Sequence, residues 1–259
     1  MDYKFSNDIP KHYWRNRSLL TNFLNGLHLL FPPGEKYMVR MINQAGKELQ
    51  DPKLREMARS FGQQEMQHSM EHQKVVDLLR EKGYNTELFD TIAGVMKDFF
   101  ENKVPLNINI ALIAGIEHFT ALIGNIALSD ESILEDVHPE IRELLRWHAA
   151  EEIEHKAVAF DVSNAMGNSY ALRAASMIVA GTLVYGFITA LMLEFTRQDK
   201  KLFSLETLED FGYLFFGDHM LFPRTFKEFI KYFSPGFHPN SVEDYYLAEE
   251  VFTKLKEAG

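Results

Sequence analysis

Glu65-Met66-Gln67-His68 and Glu152-Ile153-Glu154-His155 are two copies of Glu-x-x-His, and each has a lone acid upstream, Glu35 and Glu117. On a helix, positions i and i+3 project from nearly the same side, so a Glu and a His at that spacing can hold one metal ion between them. Two such helices face to face, with one further Glu from each of two neighbours, form the inward ligand set of a dinuclear carboxylate site in a helical bundle. The spacing predicts an all-α, ferritin-like four-helix bundle. It nominates Glu35, Glu65, His68, Glu117, Glu152 and His155 as catalytic metal ligands.

Outward from these motifs, helical patterns with clear stops follow one another, and strand signals are almost absent. Residues 18–31 read as a first apolar helix stopped by Pro32-Pro33-Gly34, and 35–50 as the next. Asp51-Pro52 caps and opens a long helix that Gly83 ends. Residues 86–102 form a shorter amphipathic helix, Pro105 opens one reaching Leu128, and 140–166 read as a single helix carrying the second motif. Beyond Lys200 the chain turns aromatic, with Phe211, Phe226, Phe229, Tyr232, Phe233 and Phe237. We read one domain over 1–259, with a bundle core at 35–166, an apolar fifth helix at 170–196 and a C-terminal helical cap at 203–258.

The candidate ligands fall at one level. Glu35 and Glu65 each lie ~20 Å from the turn between their helices at ~1.5 Å per residue, and Glu117 and Glu152 match to about one turn. Around the helix, Glu65, His68 and His72 share ~60° of arc, as do His148, Glu152 and His155. His148 is therefore read as a seventh ligand and His72 as an alternative one. Metal-bound imidazoles commonly give their other N–H to an outer acceptor. The residues one turn before each motif histidine suggest Gln64 as support for His68 and Glu151 for His155. His118 points ~100° away from Glu117 and is read as outer support or packing. Glu71 and Glu154 read as solvated charges, and Trp147, Met66 and Phe119 as core.

Composition narrows the chemistry. The 259 residues are 46% hydrophobic, enough for a sizeable core, and contain no cysteine, so any metal must be held by nitrogen and oxygen. Ten histidines and 37 acids supply those atoms, a set suited to iron, manganese or zinc. A net charge of −10 argues against nucleic acid as partner. Residues 1–16 lack the apolar run of a secretory signal, which leads us to expect a cytoplasmic protein. Residues 171–193 carry Arg173 as their only charge and are long enough to cross ~30 Å of hydrocarbon. We read that stretch as a buried helix, with membrane association as the alternative.

The stretches Phe31-Pro32-Pro33-Gly34-Glu35, Glu117-His118-Phe119-Thr120-Ala121, the block from Trp147 to Asp161, and Pro235-Gly236-Phe237-His238-Pro239 resemble a bacterial family of predicted metal-dependent hydrolases across nearly the whole chain. The ligand order is also similar to that of ferritin-like di-iron oxygenases, most closely the arylamine N-oxygenases, which add a histidine at the place of His148. That resemblance implies two iron ions, O2 and a hydrophobic small-molecule substrate, with an electron-donor protein as partner. Metal-dependent hydrolysis of an ester or phosphoryl bond is the alternative, and metal storage or ferroxidase activity a third reading. A homodimer and a membrane surface complete the expected partners.

Overall fold

The computed structural model describes residues 2–217 and 221–258, and these are all-α. Residues 218–220, inside the expected cap, lie outside the described residues. The helices are α1 (Ser18–Gly46), α2 (Pro52–Glu81), α3 (Glu87–Lys103), α4 (Leu106–Ser129), α5 (Pro139–His155), α6 (Val158–Ala165), α7 (Tyr170–Gln198), α8 (Leu205–Phe216), α9 (Leu221–Lys231) and α10 (Tyr245–Ala258). Their ends follow local chemistry. Asp51 accepts from the amide of Lys53 at the start of α2, Ser169 accepts from Leu172 at the start of α7, and Gly83 takes φ +90° just past α2.

Two boundaries depart from the expectation. The pair Pro32-Pro33 does not stop α1, which runs through both prolines as one helix of 29 residues. Each proline removes an amide donor and costs about 3 kcal/mol in a free helix. Here α1 is sandwiched between α2 and α7, and Ser69 of α2 donates its hydroxyl to the carbonyl of Pro32 at 3.2 Å. Tertiary packing therefore overrides the local breaker. Conversely, the expected helix over 140–166 divides directly after His155, at Lys156-Ala157. No glycine or proline announces that break. Instead the Lys156 ammonium is drawn into a buried ion pair with Asp244 and donates to the carbonyl of Val242 at 2.8 Å.

α1 packs on α2, α4 and α7, while α4 also meets α5, α6 and α7. The α4–α5 approach is close: a Cβ on Gly124 would lie 3.0 Å from the carbonyl oxygen of Ala149. Among the described residues, two helices, α4 and α7, are long and apolar enough to cross a membrane. The most apolar stretch of α4 is 72% buried in the molecule, as suits the helix bearing Glu117, whereas that of α7 is 44% buried. The aromatic cap drapes over this core, with α8 against α1, α9 against α4 and α10 against α5.

Candidate metal centre

α1 supplies Glu35, α2 Glu65 and His68, α4 Glu117, and α5 His148, Glu152 and His155. All seven side chains are buried and converge on one core. His155 Nε2 stands 3.1 Å from Glu65 Oε1 and 3.3 Å from Glu117 Oε2. His68 Nδ1 is 3.5 Å from both Glu65 Oε1 and Glu152 Oε1. His148 Nε2 lies 2.8 Å from Glu152 Oε1 and 3.7 Å from Glu35 Oε1. Donor atoms of Glu35, Glu65 and His68, and likewise those of Glu65, Glu152 and His155, lie within 4.8 Å of one another.

Both carboxylate oxygens of Glu35, Glu65 and Glu117 are buried without a hydrogen bond from the protein, as are Glu152 Oε2, His68 Nδ1 and His155 Nε2. Buried polar atoms are normally satisfied, and each orphan costs about 1–3 kcal/mol. So many orphans facing one point fit divalent cations held by oxygen and nitrogen. Protein charges alone leave the cluster strained. Burial and the charge of Glu65 push Glu35 well above its ordinary value. Burial, with Glu152 and Glu65, pushes Glu117 up to about 8. Burial would also raise Glu152, but His155 and His148 outweigh it and hold this carboxyl well below. For His68, burial would lower the value; the hydrogen bond to Glu151 and the nearby carboxylates of Glu65 and Glu152 prevail and push it up to about 10.

The outer partners are exchanged relative to the expected pairing. Glu151 Oε2 sits 2.9 Å from His68 Nε2, and Gln64 Oε1 sits 3.3 Å from His155 Nδ1. Each support thus reaches across to the facing helix rather than down its own, because the ring's outward nitrogen points along the α2–α5 interface. Glu151 is itself held by Trp147 Nε1, which donates at 2.9 Å, and Gln64 by its amide donating to exposed Glu154 at 2.8 Å. His118 turns away from the core onto Tyr232 and Phe237, and burial lowers it to about 3. Glu71, read as solvated, is buried under Lys74 and the amide of Tyr3, and Met66, read as core, is exposed.

His72 has both nitrogens engaged. Its Nε2 lies 2.6 Å from His148 Nδ1, and its Nδ1 2.8 Å from His28 Nδ1. Three buried imidazoles therefore run outward from the cluster in a line. Burial, and then the neighbouring imidazoles, hold His72 well below its ordinary value and His28 at about 3, so both are neutral. His28 was missing from the sequence reading. With α1 cut at Pro32, it stood on a different helix from Glu35; on one continuous helix the two are i and i+7, on one face two turns apart.

The family described as "Predicted metal-dependent hydrolase" matches residues 1–243. This chain belongs to that family. Every side chain of the buried cluster lies within the matched span, and so do most of the aromatic cap and Asp244's neighbour Glu243 at its edge. Neither the curated proteins nor the solved structures gave a match.

Proposed function

We propose that this chain is a dinuclear metal enzyme acting on an apolar small molecule, with metal-dependent hydrolysis as the first reading. The observation that carries the metal is the set of orphaned carboxylate and imidazole atoms at the core. Seven side chains from four helices are more than one ion needs and suit two. Glu35, His148 and Glu152 would hold one side of the pair, and Glu65, Glu117 and His155 the other, with His68 beside Glu65 and Glu152. Hydrolysis is supported by the family's description. Bound there, two divalent ions would supply Lewis acidity and lower the pKa of water to near neutral. The chain's own residues do the rest. Glu151, Gln64 and His72 hold the three imidazole rings in place, and the walls of Leu27, Phe31, Ile123 and Val184 exclude bulk water.

A second reading, O2-dependent oxidation by two irons with electrons from a ferredoxin or flavin reductase, has its own support. Two cavities, of about 90 and 140 Å³, reach the cluster, and their walls are almost wholly apolar. Such walls admit O2 and a greasy substrate readily, while they offer few donors for an ester carbonyl or a phosphoryl group. One experiment separates the readings: metal content and optical spectrum of the purified protein, then anaerobic ferrous titration followed by O2. A colourless zinc or manganese protein that cleaves p-nitrophenyl alkyl esters without O2 supports hydrolysis. Two irons whose absorption bleaches on reduction and returns with O2 support oxidation. Full metal content in Glu152→Ala would overturn the ligand set under both.

A further inference from the structure

The larger of the two cavities has a direction. It lies between α1, α3, α4 and α7, with Glu35 of the cluster in its wall and Phe31 and Ile123 shared with its neighbour. Apart from Glu35, Tyr37, Thr120 and Lys97, its lining is aliphatic or aromatic. α3 closes it on one side and is lightly held, burying only Phe89 among its 17 residues. Lys97, Ala93 and Pro33 of its wall also line an adjoining open groove of about 290 Å³. That groove collects four cations, Lys36, Arg40, Arg80 and Lys97, against a single acid, Asp90. The chain as a whole carries a net charge of −10, so this grouping runs against its overall balance.

The cations are not equivalent. Arg40 is paired with Glu101, and Arg80 with Asp77 and Asp90. Lys36 and Lys97 enter no ion pair among the described residues. An apolar tube leading to the cluster, with two uncommitted ammonium groups at its outer end, matches a molecule with one hydrophobic tail and one negative head. Apolar cavities stay dry and favour a hydrocarbon occupant. Ammonium groups at a rim select charge more than they add affinity.

We propose that this cavity binds a single-chain carboxylate, a fatty acid or a close analogue. Its head lies at Lys36 and Lys97, and its tail runs inward past Phe31 and Ile116 to the cluster. The assignment rests on the dinuclear reading only for the tail's destination, since binding itself needs no turnover. In either chemistry, the atoms presented to the cluster are those some distance along the chain from the carboxylate.

The test is equilibrium binding to the protein as purified, its metal content measured alongside. The probes are dodecanoate, dodecanol and dodecyltrimethylammonium below their micellar concentrations. Dodecanoate is expected to bind about tenfold more tightly than dodecanol, and the cationic probe weakest, as two rim ion pairs imply. Lys36→Glu with Lys97→Glu should remove that tenfold preference and leave dodecanol unchanged. Ile116→Trp should block every probe; Ala93→Trp, a partly buried position on the lightly held α3, should do the same. Dodecanol or the cationic probe binding as tightly as dodecanoate, or dodecanoate binding the double lysine variant unchanged, overturns the proposal. So does absence of dodecanoate binding to protein that retains its metal, an outcome that leaves the dinuclear reading standing. Probe binding with no metal in the protein would leave the cavity assignment standing and remove the dinuclear one.

Discussion

Glu117→Gln offers the sharpest test of the idea that the cluster is built for cations. In protein stripped of metal, Glu117 is pushed up to about 8 by burial and by Glu152 and Glu65, against an ordinary value of 4.5. Between those two values the folded chain holds a proton that the unfolded chain has released, so stability falls as pH rises through that window. At 1.36 kcal/mol per unit, the loss from this carboxyl is about 3 kcal/mol between pH 5 and pH 7. The amide cannot ionise, so its own packing penalty is constant with pH and drops out of the comparison. Urea unfolding of stripped wild type and variant at pH 5, 6 and 7 should therefore show the variant gaining about 3 kcal/mol relative to wild type across the series. With metal restored the order reverses, because the variant has lost an anionic donor. A difference that stays flat with pH, or shifts towards wild type as pH rises, would refute the reasoning.

Three further perturbations probe the supports. His72→Phe takes away the partner of His148 Nδ1, and should weaken metal binding by about 10- to 100-fold in a chelator competition while leaving the helical circular dichroism intact; unchanged affinity would show that His148 needs no such hold. Asp244→Ala strands the Lys156 ammonium next to His155, and urea unfolding should register a loss of about 3–5 kcal/mol; a loss under 1 kcal/mol would mean the pair is effectively solvated. Gly124→Ala drives a methyl group against Ala149, and should lower stability by about 1–3 kcal/mol and reduce metal content, since α4 and α5 carry Glu117, His148, Glu152 and His155; full metal content would show that the two helices separate without cost to the cluster.

The part of the site that sequence made legible is the part governed by helical spacing. Glu65 with His68, and Glu152 with His155 and His148, share faces because of 3.6-residue periodicity, and no tertiary knowledge is needed to see it. Glu35 and Glu117 followed from matching distances along antiparallel helices. What lay hidden depended on contacts between helices. Glu151 and Gln64 were visible as support, yet which imidazole each would meet was fixed only when α2 and α5 faced each other. The break at Lys156-Ala157 comes from Asp244, about 90 residues downstream, through which no local pattern can speak. The helix through Pro32-Pro33 was the most consequential miss. Treating those prolines as a stop detached His28 from Glu35 and so concealed the outer end of the imidazole line.

That line has a polarity. A neutral imidazole carries one N–H and one lone pair, so three of them joined nitrogen to nitrogen can order their protons in only two ways. When His148 Nε2 donates to Glu152, each ring points its N–H inward and its lone pair outward: His72 donates through Nε2, His28 through Nδ1, and His28 Nε2 is left as an acceptor. When His148 Nε2 instead gives its lone pair to a cation, all three tautomers reverse, and His28 Nε2 becomes a donor. The state of the core is thereby written at a buried nitrogen two turns of α1 from Glu35, where a nitrogen chemical shift can read it without any substrate.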